Sequence, residues 1–220
     1  MKVYPSLMAA DFGNLAACVS VLDTLADVGG YHLDVMDNHF VPNFTFGPLV
    51  AGALQKYVTK PFEAHLMVQN PLQHFDQCAQ NGVAHVFTHI ENTPDISDAC
   101  AKARGCGMGY GLVINPETPF GQAREYLCAI DSLLVMTVNP GFCGQIFMNE
   151  LLPKIDEALY YRSTRNPLLR IVVDGGVNAE TAPALHKRGV EEVVVGSYMF
   201  KDISLPDAHR YKARIRSLYS

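Results

Sequence analysis

The chain has 220 residues, of which 49% are apolar and 18% charged, with a formal net charge of −5. This composition excludes a disordered chain, and no apolar run approaches the roughly 20 residues of a membrane-spanning helix. The negative balance argues against nucleic acid or an anionic membrane as partner, but not against a small phosphorylated molecule, since backbone N–H groups bind phosphate without net positive charge. The length suits one domain over residues 1–220. Its start, Met1-Lys2-Val3-Tyr4-Pro5-Ser6, runs straight into strand-like sequence without the apolar core of an export signal. The six cysteines form no Cys-x-x-Cys pair, so reduced thiols and a cytoplasmic location are expected.

In chain order, short β-type runs alternate with helical stretches. Strands are predicted over 3–6, 31–36, 62–68, 86–90, 109–114, 133–138, 170–174 and 192–195. Helices are predicted over 15–26, 72–81, 119–129, 149–161, 179–187 and 207–218. Asp11, Asn70, Thr118 and Asn178 stand where N-caps belong, and Gly82, Gly105 and Gly189 where helices stop. Eight β/α units of roughly 27 residues predict one parallel sheet closed as a single-domain (β/α)8 TIM barrel, an α/β fold. The competing architecture, a doubly wound open sheet, wants a glycine-rich turn after the first strand. Here that turn reads Ser6-Leu7-Met8-Ala9-Ala10.

The second strand carries the first chemical signal. Strand side chains alternate, so His32, Asp34 and Met36 share a face while Leu33 and Val35 take the other. A barrel interior favours Val, Ile or Leu, and an inward His and Asp need partners. His65 and Met67 repeat the pattern on the third strand, and Asp174 ends the seventh. Two His and two Asp then converge at the C-terminal mouth, where barrels place their sites. The plain reading is a set of satisfied core hydrogen bonds. The chemical one is a site for one divalent ion per chain, Zn²⁺, Fe²⁺, Co²⁺ or Mn²⁺. Glycines follow the last strands in Asn139-Pro140-Gly141-Phe142-Cys143-Gly144-Gln145, Gly175-Gly176 and Gly196-Ser197. They let backbone amides approach an anion, and loops after strands 7 and 8 commonly hold phosphate in this fold.

These blocks, with Pro5-Ser6, Asp37-x-His39-Phe40-Val41-Pro42-Asn43 and His65-Leu66-Met67-Val68, resemble the signature blocks of the ribulose-phosphate 3-epimerase family, in its order and over about residues 3 to 200. The resemblance implies an isomerase acting at C3 of a ketose phosphate. By it, His32, Asp34, His65 and Asp174 are the metal ligands, with Asp34 and Asp174 also the acid/base pair. It further implies that Ser6, His65, Gly141, Phe142, Cys143, Gly144, Gly175, Gly176, Gly196 and Ser197 contact substrate. Cys143 departs from the family's usual Gly, which puts the loop's geometry in question if that position needs φ > 0; Asn38 also replaces a common Gly.

The residues fit this chemistry independently. Epimerisation beside a carbonyl needs two acid/base groups on opposite faces of a planar intermediate, and strands 2 and 7 are expected across the barrel from each other. A Lewis acid stabilises the developing charge. Met36, Met67 and Met136 are expected to form an apolar cap that excludes water. His39, His89 and Glu91 lie near strand ends, with supporting and surface roles both open, while His74, His85, His186 and His209 read as structural.

The preferred substrate is D-ribulose 5-phosphate, with D-allulose 6-phosphate as the alternative, and a homo-oligomer is expected. A decarboxylase of a related barrel would want Asp-x-Lys-x-x-Asp, but no Lys lies between Lys2 and Lys56. A non-catalytic sugar-phosphate-binding barrel would be expected to lose an acid/base Asp, and both are present.

Overall fold

The computed structural model describes residues 1–203 and 205–219. Its strands are β1 (Lys2–Pro5), β2 (Tyr31–Met36), β3 (Phe62–Met67), β4 (Val83–His89), β5 (Gly109–Ile114), β6 (Ser132–Met136), β7 (Arg170–Asp174) and β8 (Glu192–Val195). All pairings are parallel, in the order β1-β8-β7-β6-β5-β4-β3-β2. Single bridges from Ser6 to His32 and from Val3 to Val28 bring β1 against β2 and nearly close the ring. The expected TIM barrel is therefore present. Around it lie α1 (Leu15–Asp23), α2 (Leu49–Leu54), α3 (Phe75–Gln80), α4 (Ile96–Gly105), α5 (Phe120–Ala123), α6 (Leu152–Thr164), α7 (Ala182–Arg188), α8 (Ser197–Phe200) and α9 (Ala208–Ser217). Among the described residues no helix is long and apolar enough to cross a membrane.

Alternation sorts the strands into two cores. Outward residues such as Leu33, Val35, Leu66, Val86, Leu112, Ile171 and Val193 join the helices in the main core. Inward residues Tyr4, Phe87, Val113, Leu134, Met136, Val172 and Val194 form a separate cluster within the barrel. A bulge sets the phase of β4: Phe62 pairs with Val83, but Glu63 pairs with His85, so Ala84 is the extra residue. Past the bulge His85, Phe87 and His89 face inward. Gly111 makes room for the Phe87 ring, since a Cβ there would lie 2.3 Å from it. At the N-terminal end of the barrel Arg170 meets Glu192 at 2.9 Å and His85 at 3.2 Å, and His85 meets the Ser132 hydroxyl at 2.7 Å. His85 is thus the structural histidine that its sequence suggests.

Helix ends depart from the sequence where tertiary bonds intervene. The stretch 119–129 is helical only over α5; beyond it the chain continues in tighter turns, with the N–H groups of Arg124, Tyr126 and Ala129 bonded to the carbonyls three residues back. Thr118 is no cap: Pro119 holds the N-cap place, and the Thr118 hydroxyl donates to Glu91. Asp11 caps the short 3-10 turn Phe12–Asn14 rather than α1, and Asn70 precedes another without a side-chain bond. Asn178 Oδ1 accepts the N–H groups of Glu180 and Thr181, just ahead of α7. Gly82 and Gly189 take the left-handed backbone expected of helix stops, with φ of 72° and 88°. Gly105 is instead the last residue of α4, and Gly107 takes that role with φ 76°.

Candidate active site

Strand register builds the site. β2 and β3 pair His32 with Glu63 and Asp34 with His65, and β6 pairs Met136 with Asp174 on β7. One ligand atom from each of His32, Asp34, His65 and Asp174 lies within 4.8 Å of the others. His32 Nε2 stands 3.5 Å from Asp34 Oδ1 and 3.7 Å from Asp174 Oδ2, and His65 Nδ1 stands at the same two distances from the same atoms. These gaps are too long for good hydrogen bonds. They suit four donors sharing one ion, since ligands at tetrahedral zinc distances stand roughly 3.3–3.6 Å apart. The orphaned atoms agree: His32 Nε2 and His65 Nδ1 are buried without a hydrogen-bond partner, and both face the carboxylates. A buried polar atom left unpaired is costly, and an ion would satisfy both. The residues fit a divalent metal.

Electrostatics follow from this packing. Burial alone would raise the Asp34 pKa, but His32 and His65 outweigh it and hold the carboxyl well below the usual range. Burial would likewise lower the pKa of His32, yet Asp34 and Glu63 raise it well above its ordinary value. His65 is raised too, burial being outweighed by Asp174 and Asp34. The Ser6 hydroxyl donates to Asp34 Oδ2 at 2.5 Å, leaving Oδ1 toward the histidines. Thr45 locks the end of β2: its hydroxyl donates to the Asp34 carbonyl and accepts the Met36 N–H. Thr137 does the same for β7, donating to the carbonyls of Asp174 and Gly175.

Above the cluster opens a cavity whose wall includes Ser6, Asp34, Asp174 and the loop after β6. Among known proteins, the ribulose-phosphate 3-epimerase family model matches residues 2–200. A ribulose-phosphate 3-epimerase of Bacillus subtilis is 37% identical over 204 residues, covering 91% of this chain and 92% of the relative. One of Schizosaccharomyces pombe is 37% identical, covering 90% of this chain and 86% of the relative. The chain belongs to the ribulose-phosphate 3-epimerase family. It is an isomerase acting on carbohydrates. Solved structures of tryptophan synthase alpha subunits share the fold alone. That of Campylobacter jejuni has a TM-score of 0.67 at 14% identity, covering 98% of this chain and 94% of its own. That of Pyrococcus furiosus has a TM-score of 0.66 at 14% identity, covering 99% and 95%.

Within this member of the family, the glycine-bearing loops all border the cavity. Gly141, Phe142, Cys143, Gly144, Gly175, Gly176, Gly196 and Ser197 all line it, and no Lys or Arg does. An anion seated there would rely on backbone N–H groups. Gly175 and Gly176 have φ of 115° and 68°, and Cβ atoms on them would lie 2.5 Å from Val138 Cγ2 and from Phe147 N. Cys143 is not at positive φ; the turn is carried by Gly141 and Gly144, with φ 117° and 79°. The non-glycine residue therefore sits there without strain. Asn38 does take φ 61°, a conformation Asn tolerates better than most residues.

Three placements differ from the sequence picture. His65 is wholly buried beneath the cavity and is not on its wall. Met36 and Met67 pack with Val41, Met8 and Phe40, whereas Met136 belongs to the inner barrel cluster, although all three line the cavity. β1 and β8 stand between β2 and β7, so the two Asp-bearing strands are not diametrically opposed. Asn139 and Gln145, from the block expected to bind an anion, also line the cavity, while Met8 and Glu63 join the site's surroundings unannounced. Of these only Glu63 had a readable signal, an inward charge two residues before His65. His39, with its side chain 62% exposed and bonded to Asp37, lies outside the cluster.

Proposed function

We propose that the chain interconverts D-ribulose 5-phosphate and D-xylulose 5-phosphate by moving a proton at C3 between Asp34 and Asp174. The observation that carries this is the convergence of two carboxylates and two histidines beneath a cavity walled by glycine-rich loops. The name shared by the curated relatives supports the five-carbon sugar. A divalent ion (Zn²⁺, Fe²⁺, Co²⁺ or Mn²⁺), held by His32, Asp34, His65 and Asp174, would supply Lewis-acid stabilisation of the negative charge on the substrate oxygens. One ionised carboxylate removes the C3 proton, and the other, protonated, returns one to the opposite face. Ser6 orients Asp34 through its 2.5 Å bond. Met8, Met36, Met67 and Met136 keep water from the planar intermediate. Backbone amides of Gly175, Gly176, Gly196 and Ser197 seat the phosphate, and Phe142 and Cys143 border it.

The distance from cluster to phosphate seat selects chain length: two carbons separate C3 from phosphate in the pentulose and three in the hexulose. Remote binding energy lowers the barrier only when C3 reaches the carboxylates with the phosphate seated. Since the curated relatives carry the five-carbon name, we expect ribulose 5-phosphate to exceed allulose 6-phosphate in kcat/KM by about tenfold or more, roughly 1.4 kcal/mol. Faster turnover of the six-carbon sugar would reassign the substrate. Purified protein should carry about one divalent ion per chain, and its removal should abolish activity until an ion is restored; full activity without metal would refute the ion's role. A single catalytic domain over 1–220, a cytoplasmic location and a homo-oligomer complete the reading.

A further inference from the structure

Both histidines of the cluster are held from behind, but by different routes. His32 Nδ1 meets Glu63 Oε1 directly at 2.7 Å. No carboxylate stands behind His65. Its Nε2 lies instead 2.7 Å from Nε2 of His89, with the two rings stacked at 4.9 Å. The His89 side chain is fully buried, and its Nδ1 lies 3.3 Å from Glu91 Oε2. Glu91 Oε1 accepts the N–H of Asn115 at 3.0 Å and the hydroxyl of Thr118.

The hydrogen bonds impose an order. Two imidazole nitrogens at 2.7 Å share one proton, so one donates and the other accepts. Glu91 is surrounded by donors and acts as an ionised carboxylate, which can only accept. His89 then donates Nδ1–H to Glu91 and presents a bare Nε2, which accepts Nε2–H from His65. That leaves His65 Nδ1 as a lone pair, and this is the orphaned nitrogen facing Asp34 and Asp174. We infer that Glu91, acting through His89, sets the tautomer of His65 and is a positioning residue for the ion-binding cluster. The inference rests on the reading that His32, Asp34, His65 and Asp174 hold a divalent ion.

An isosteric change should invert the chain. In Glu91→Gln, the side-chain oxygen stays with the Asn115 N–H and the Thr118 hydroxyl, so the new NH₂ faces His89 Nδ1. His89 must then accept at Nδ1 and donate from Nε2, which makes His65 accept at Nε2 and carry its proton on Nδ1, toward the cluster. The substituted residue touches neither ion nor cavity. Outer partners of ligating histidines are generally worth 10–100-fold in metal affinity.

The test uses full-length protein, stripped and titrated with Zn²⁺ against a chromophoric chelator and with Co²⁺ by visible absorption. Glu91→Gln should bind Zn²⁺ about 10–100-fold more weakly and shift the Co²⁺ bands. Thr118→Val, which leaves the acceptor toward His89, should bind like wild type. In the zinc-loaded wild type, histidine ¹⁵N spectra should show His89 as the Nδ1–H tautomer. An Nε2–H tautomer of His89 would overturn the inference even if the Gln variant failed to fold. Wild-type Zn²⁺ affinity in a folded Glu91→Gln would overturn it while leaving the ion site intact. A wild type that binds no ion would remove the ion site and the relay together.

Discussion

Asp34 and Asp174 share two histidines, but their surroundings differ. Asp34 Oδ2 is held by the Ser6 hydroxyl, whereas the side chain of Asp174, at 15% exposure, opens more to the cavity. If each serves one face of the substrate, Asp→Asn at either position lowers kcat by about 10²–10⁴. Wild-type turnover in D₂O should place deuterium at C3 of the product, and retention of the original hydrogen would rule out the two-carboxylate route. Cys143 gives a second expectation at this scale. Although Cys143 is exposed, desolvation by the surrounding atoms, and then the Asp34 and Asp174 carboxylates, push its thiol up to about 12. A protonated thiol is a poor nucleophile. Iodoacetamide at neutral pH should leave Cys143 largely unlabelled by mass spectrometry, and Cys143→Gly should keep kcat near wild type. Rapid labelling would restore the case for a reactive thiol.

At the scale of elements, the loop after β7 depends on two consecutive left-handed residues. In Gly176→Ala, a residue that disfavours φ 68° by about 1–2 kcal/mol would also press its Cβ on the backbone of Phe147. The expected result is a lower Tm together with a raised KM for the phosphorylated substrate; an unchanged KM would remove this turn from the phosphate seat. β3 and β4 show how far local pattern carries. The spacing of His65 and Met67 marks an inward face, so this part of the site was legible. The bulge at Ala84 was not, because it is fixed by pairing with β3, and it decides that His89 rather than a neighbour backs His65. The stretch 119–129 has helical sequence, yet beyond α5 its N–H groups bond three residues back in tight turns.

For the whole molecule, the balance of buried charges predicts its response to acid. Burial would raise Glu91, but bonds from His89, Thr118 and the Asn115 N–H hold it at about 2, against 4.5 ordinarily. A folded pKa below the unfolded one means that the unfolded chain binds more protons, so stability falls as pH drops. Glu91 contributes fully above pH 4.5 and loses its contribution as pH falls toward 2. Asp23, Asp34 and Asp37 are lowered and act in the same direction. Nearer neutrality, His32 and His65 are raised, so their contribution is full below pH 6.5 and is lost only as pH rises above it, while His85 and His89 are lowered, so theirs is lost as pH falls below 6.5. Stability of the metal-free protein to urea should therefore weaken as pH falls below about 6.5, and more steeply below about 4.5, where the carboxylates join. Glu91→Gln should flatten that lower limb, and an equally steep limb in the variant would show that other carboxylates dominate.

The sequence by itself determined the barrel and the four ligand-type residues, because each depends on a short-range rule. Alternation along one strand turns His32 and Asp34 to the same side, and glycines mark the turns after β6, β7 and β8. Tertiary structure alone decided what stands behind those residues. Glu63 supports His32 because β2 and β3 pair in that register, and Glu91 reaches His65 through His89 because a bulge resets β4. Hydrogen-bond partners on different strands are chosen by register and ring closure, which arise only when the whole barrel is assembled.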